Sequence, residues 1–228
     1  MSDNQNPIEH IASLIESKSA VKQEAYRKLC NNFKLLEKEA KMVVKQINEK
    51  ISKKDKDIIL EVEYISDQEF HIRAAGDLLI FIMHTNIIVL DEAHGFNKSP
   101  YVQENAHNKY LGQINVYNFM ADSLKFNRLN DPGYLLARLF INHEGRFLVE
   151  GERQLNFMFE NVSEKPISNF DLNVIIQLVI SQSIDNDLIT SPFPNIRVIS
   201  LNQKMEKTQA LGPGYKIGFQ MSYTQKLE

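Results

Sequence analysis

The chain has 228 residues, 43% of them hydrophobic and 24% charged, with a formal net charge of −3 at pH 7. That length can bury a substantial core as one large domain or two small ones, and the composition is ordinary for a globular protein. The charge balance offers no case for nucleic-acid or membrane binding by the whole molecule, and the single cysteine, Cys30, excludes an internal disulfide and a cysteine-based metal cluster.

The opening Met-Ser-Asp-Asn-Gln-Asn-Pro is polar and leads into an amphipathic segment instead of an apolar signal core. The longest apolar run, Leu78 to Met83, has six residues and is far short of a membrane span. A cytoplasmic location is therefore expected. Charge is unevenly spread: residues 1–56 hold 12 Lys and Arg against 8 Asp and Glu (+4), and residues 57–228 hold 14 against 21 (−7). The halves read as a basic arm and an acidic body.

Asn6-Pro7 marks a helix start, since proline is tolerated in the first turn. Ile8, Ile11, Ala12 and Ile15 then share one face. From Ala25 the spacing becomes regular: Ala25, Leu29, Phe33, Leu36, Ala40, Val43, Ile47 and Ile51 follow one another by three or four residues. Neither Gly nor Pro interrupts residues 8–58. The pattern predicts a helix from about Ser19 to Ser52, roughly 50 Å long at about 1.5 Å per residue. Such a stripe either lies across a sheet or projects and pairs with another helix, most simply in a homodimer. Only about three heptads are present, and the seam contains Ala and Phe, so an autonomous coiled coil is the weaker option.

Lys53-Lys54-Asp55-Lys56 reads as a charged hinge, after which the period changes to two. Leu60, Val62 and Tyr64 alternate with Glu61 and Glu63; Phe70, Ile72 and Ala74 alternate with His71 and Arg73. Ser66-Asp67-Gln68 between them makes a hairpin with one solvated face. Leu78–Met83 and Ile87–Leu90 are apolar throughout and read as central strands joined by His84-Thr85-Asn86. The polar stretch 95–111 interrupts the series. Strands are predicted again at Ile114–Phe119 and Leu124–Leu129, followed by the turn Asn130-Asp131-Pro132-Gly133. Tyr134–Ile141 and Arg146–Glu150 form a hairpin closed by Asn142-His143-Glu144-Gly145. Leu155, Phe157 and Phe159 suggest one more strand. Ser168-Asn169-Phe170-Asp171 has the form of a helix start, with apolar residues at helical spacing through Ile184. Ile196–Leu201 and Tyr215–Tyr223 read as a final strand pair around Gly212-Pro213-Gly214.

The expected fold is α+β: a long N-terminal helix and a C-terminal helix packed on a large, mostly antiparallel meander sheet of about seven to ten strands. The chain divides into a helical arm (1–56), a β-meander (57–160) and a helix with a strand pair (161–228) that completes the same domain.

Candidate chemistry is sparse. Ile87-Ile88-Val89-Leu90-Asp91-Glu92-Ala93-His94 resembles the strand and acidic tetrapeptide of DEAH-box helicases. Such a site works only with a phosphate cradle, a glycine-rich loop bearing Lys and Ser or Thr. None of the nine glycines is followed by Lys-Ser or Lys-Thr. Strands without crossover helices also argue for antiparallel pairing, so no ATPase is expected. The string reads as a boundary between a buried strand and the loop 95–111, acting by anchoring that loop. Asp91, His94 and His107 are the weak candidates for a metal, without a recognised ligand spacing. There is no nucleophile elbow, and Cys30 falls on the apolar side of a helix. No cofactor is implied. The loop, with Phe96, Tyr101 and Tyr110 among Asn, Gln and Lys, is a candidate recognition surface.

These observations favour a non-catalytic interaction or scaffold protein. It would self-associate or dock a protein partner through Leu29, Phe33, Leu36, Val43 and Ile47, together with Phe96, Tyr101 and Tyr110. The alternative is a small-molecule-binding domain, with room for an enzyme, whose pocket lies between sheet and helix near Phe81, Tyr117, Phe140 and Phe157.

Overall fold

The computed structural model describes residues 6–51, 55, 58–129, 131–186, 197–198 and 200–201. Its first feature is an unbroken helical rod: α1 (Pro7–Leu14), one π-helical turn (Ile15–Ser19) and α2 (Ala20–Lys50). The start is the expected one, with Pro7 in the first turn and the Asn6 side chain accepting a hydrogen bond from the Ile8 amide. The rod begins a dozen residues before the predicted boundary because nothing in that stretch stops it.

Six strands follow in an antiparallel meander whose spatial order is the chain order: β1 (Leu60–Ser66), β2 (Glu69–Ala74), β3 (Asp77–Met83), β4 (Leu111–Met120), β5 (Tyr134–Asn142) and β6 (Phe147–Gly151). Short helices α3 (Pro100–Glu104), α4 (Ala121–Lys125) and α5 (Gln154–Phe159) lie in the connections. Helix α6 (Asn169–Asp185) closes the described fold. It opens with a capping box in which Ser168 and Asp171 each take the other's backbone amide. The architecture is α+β, as its periodicities predict.

The core forms where α2 and α6 lie side by side on one face of the sheet. Leu29, Phe33, Leu36, Ala40 and Val43 of α2 meet Phe70, Ile72, Leu79, Phe81, Ile114, Val116, Leu139 and Ile141 of the strands, all buried. Phe81 stacks on Phe70 at 4.5 Å, and Phe33 meets Phe70 at 5.3 Å. Leu172, Ile175, Ile176, Val179 and Ile180 of α6 complete the cluster. Between the two helices the buried Glu39 carboxylate accepts a hydrogen bond from Asn173 Nδ2 at 3.0 Å.

Three predicted strands are something else. Ile87–Leu90 forms only one bridge, Ile88 to Leu111. The reason is that β3 pairs directly with β4 from Asp77–Met120 to Met83–Ile114, which leaves no slot between them. Leu124–Leu129 is the end of α4 and a turn, because β4 and β5 also pair directly. Residues 155–159 are helical: Leu155 and Phe159, four apart, both face the core, while Phe157 between them is 86% exposed. The last strand pair, Ile196–Leu201 and Tyr215–Tyr223, lies largely outside the described residues.

Helix and sheet touch most closely at Gly112. A Cβ there would sit 2.8 Å from Leu29 Cβ. Gly112→Ala is expected to destabilise the fold by about 1–3 kcal/mol through overpacking, read as a lower urea midpoint with an unchanged m-value.

Candidate interaction surfaces

Residues 84–110 cross to the sheet face that the long helices leave open. The segment is ordered into a 3-10 turn (Gly95–Lys98), α3 and a second 3-10 turn (Ala106–Lys109). Phe96 and Val102 from the loop pack with Leu111, Phe140 and Leu148 in a second core, flanked by Ile88, Leu90, Tyr101 and Val162.

Polar groups hold it down. Asp91 Oδ1 accepts from the Ala93 amide at 2.8 Å, and Asn97 Nδ2 donates to the carbonyls of Leu90 and Asp91. His94 Nδ1 accepts from the Phe96 amide at 3.1 Å, which puts the ring proton on Nε2. That Nε2 donates to Glu150 Oε1 on β6 at 2.9 Å, and Arg138 of β5 pairs with the same carboxylate. The Asp-Glu-Ala-His string therefore ties the loop to the sheet. At the other end, the Tyr101 hydroxyl donates to Glu144 and accepts from Asn142 Nδ2, both at 2.6 Å. The Arg146 guanidinium lies 4.3 Å from the Tyr101 ring centre. Burial, then the bond to Glu144, push the phenol well above its ordinary range.

The face away from α2 and α6 carries a cross-strand row, Glu69–Ile82–Asn115–Arg138–Glu150, polar except for Ile82. Beside it, His71 is buried with its Nε2 on Glu69 at 2.6 Å and its Nδ1 without a hydrogen-bond partner. No spacing rule could have found the His94–Glu150–Arg138 cluster, whose members meet only across the β5–β6 pairing.

The predicted partner-binding residues are placed differently from expectation. Leu29, Phe33, Leu36 and Val43 are buried under the sheet, and Ile47 packs against the same core. Phe96 belongs to the second core, and Tyr101 is held by Glu144 and Asn142. Tyr110 is buried, with the Lys22 ammonium 5.1 Å from its ring centre. The stripe is thus spent inside the molecule, because it is the cover that one face of the sheet requires. Asp91, His94 and His107 do not converge: the first caps its own turn, the second reaches Glu150, and the third sits beside Tyr110. Among the described residues no group of three or more His, Cys, Asp or Glu is placed to share a metal ion. Phe81, Tyr117, Phe140 and Phe157 are not brought together either. They occupy the main core, the opposite sheet face, the second core and the exposed side of α5.

Two surfaces of the described residues combine apolar side chains with a regular element. One is α1 with the π-turn, where Ile8 (74%), Ile11 (55%), Leu14 (43%) and Ile15 (60%) are exposed. At about 100° per residue the Ile8–Ile15 stripe would lie roughly 60° from the core-facing stripe in a regular helix, and roughly 160° away once the extra π-turn residue is counted. The rod therefore turns its first apolar face away from the sheet. The other surface is a groove of ≈ 620 Å³ between α2 and the edge of β1, lined by Lys41, Val44, Lys45, Asn48, Glu49, Leu60, Glu61 and Val62. The segment Ile8–Ile15 was legible as a stripe, but only the fold shows that it, and not Leu29–Ile47, stays open.

Comparison with protein-family models, with curated proteins and with solved structures finds no match. No described helix is long and apolar enough to cross a membrane.

Tyr101→Phe removes two hydrogen bonds and leaves Asn142 and Glu144 short of a partner. We expect a loss of about 1–3 kcal/mol and faster amide exchange across residues 95–110. His143, in the β5–β6 turn, has its pKa lowered by burial, opposed by Glu144 and Glu24 and assisted by His107. The unfolded chain then protonates first, so stability is full above about pH 6.5 and declines as pH falls through the lower folded value. Thermal melts from about pH 7 to pH 5 should show that decline, and His143→Gln should flatten it.

Proposed function

We propose that this is a non-catalytic, cytoplasmic interaction or scaffold protein that self-associates, or docks a protein partner, through the first segment of its long helix. The observation that carries this reading is the projecting helix Pro7–Ser19, which contributes no buried residue to the fold yet exposes three isoleucines and a leucine. Four adjacent large apolar side chains on a helix are the usual anchors of helix-in-groove or helix-pair recognition. A helix this short is marginal in water by itself. Here it is held in register by its continuity with α2, which lowers the ordering cost of binding.

The poverty of catalytic geometry supports the non-catalytic part. His94 and Glu150 are engaged in loop anchoring, His71 pairs with Glu69 within β2, and Cys30 packs against the main core. Self-association is expected to show as a mass above the 26.3 kDa of one chain when light scattering is measured at tens of micromolar. The triple substitution Ile8→Asp, Ile11→Asp, Ile15→Asp should return the mass to that of a monomer without lowering the melting temperature. A wild-type protein that stays monomeric over the whole accessible concentration range would sink the self-association reading.

A further inference from the structure

The rod that exposes Ile8, Ile11 and Ile15 near its start also carries a groove near its end. The groove, of ≈ 620 Å³, takes one wall from Lys41, Val44, Lys45 and Asn48 of α2 and apolar lining from Leu60 and Val62 of β1. Stripe and groove are about 33 residues apart on one continuous helix, roughly 50 Å at about 1.5 Å per residue. A chain therefore cannot lay its own stripe in its own groove. The stripe of another molecule can reach it.

We propose that the partner of α1 is a second copy of this chain, which receives Ile8, Ile11 and Ile15 in its α2–β1 groove. Two antiparallel rods exchange stripes in this way. The inference rests on the reading of α1 as the docking segment and adds the partner and the place where α1 binds.

Direction favours it. At about 100° per residue the groove wall lies on average roughly 110° round α2 from the core-facing stripe. The extra π-turn residue carries Ile8–Ile15 round the rod in the same sense, so both patches belong to one side of it. Two rods set antiparallel with those sides together bring each stripe to the other's groove. The arrangement is a closed two-fold in which one contact is made twice. Pairing α1 with α1 would make a single contact between two thirteen-residue segments and leave both grooves uncovered.

Charge agrees with this pairing. Glu9 and Glu16, both exposed, are seven residues apart and share one flank of the stripe. Lys41 and Lys45 stand on the α2 side of the groove with side chains 54% and 77% exposed. Their partners Glu37 and Glu49 are four residues away on the same helix, and such surface pairs are weak. An antiparallel register with Ala12 opposite Val44 places Glu16 opposite residue 40 and Glu9 opposite residue 47, which brackets both lysines.

A spin label reads contacts between copies directly. It is placed on Ser13→Cys, an exposed position, in a Cys30→Ser background, and that chain is mixed with isotope-labelled wild type. At concentrations where light scattering shows a dimer, we expect broadened amide signals at Lys41–Glu49 and Leu60–Val62 and unchanged signals at Ile8–Ile15. Broadening at Ile8–Ile15 in place of the groove would overturn the proposal in favour of α1–α1 pairing. A dimer with no broadening at the groove would overturn it too, while self-association itself stood. Lys41→Glu/Lys45→Glu should weaken association about tenfold, and adding Glu9→Lys/Glu16→Lys to the same chain should recover most of that loss. Association indifferent to these charges would count against the groove, whereas a wild type that is monomeric throughout would remove the self-association reading and this inference together.

Discussion

The packing of one helical stripe on one sheet face governs the rest of this structure. Leu29, Phe33, Leu36, Ala40 and Val43 recur at three- and four-residue steps, and the strands present Phe70, Ile72, Phe81, Ile114 and Leu139 at two-residue steps. Neither surface can remain in water: burying each large side chain is worth about 1.5–3 kcal/mol, and the two surfaces are complementary in length. Gly112 lets Leu29 approach the β4 backbone, so the helix sits flat on the strands. Once α2 is seated, α6 has a single apolar strip beside it, and the Asn173–Glu39 contact supplies a polar tie between the two helices.

That choice of face dictates what the long β3–β4 connection must do. With both long helices on one side, Phe140 and Leu148 point to the other and need their own cover. The connection provides it with Phe96 and Val102. Because a loop brings unsatisfied backbone groups with it, the cover works only with polar anchors, here Asp91, Asn97, His94 and Tyr101. Asp91 and His94 of the tetrapeptide serve this task. Asp91 and His94 satisfy amides of their own turns, and the imidazole's second nitrogen reaches the carboxylate that also neutralises Arg138.

The surfaces with something left to bind follow by subtraction. The sheet and the two cores account for nearly every buried large apolar residue. Among the described residues, the exposed apolar side chains include the first face of the rod, rotated away by the π-turn, the flank of β1, and single residues such as Phe157 and Phe170. The first two belong to regular elements, and the second mixes apolar Val44, Leu60 and Val62 with the charges of Lys41, Lys45, Glu49 and Glu61. His94 with Glu150, and Glu144 with Tyr101, hold the 84–110 connection in place.

Much of this could be read from the sequence. Helical periodicity in residues 8–51, alternation in β1, β2 and β5, the turn at 142–145 and the Ser168–Asp171 box are local signals, set by backbone geometry within a few residues. Those elements and the α+β class follow from the chain alone. The roles of Ile87–Leu90, Leu124–Leu129 and Leu155–Phe159 did not. Segments of four to six residues fit strand and helix patterns alike, and the direct pairing of β3 with β4 and β4 with β5 decided against strands in the first two. The same holds for the interaction surface. A sequence shows that Leu29–Val43 and Ile8–Ile15 are both apolar stripes, but burial is a property of what lies opposite. Only the folded sheet, by covering the first stripe and leaving the second, distinguishes a core from an exposed apolar face.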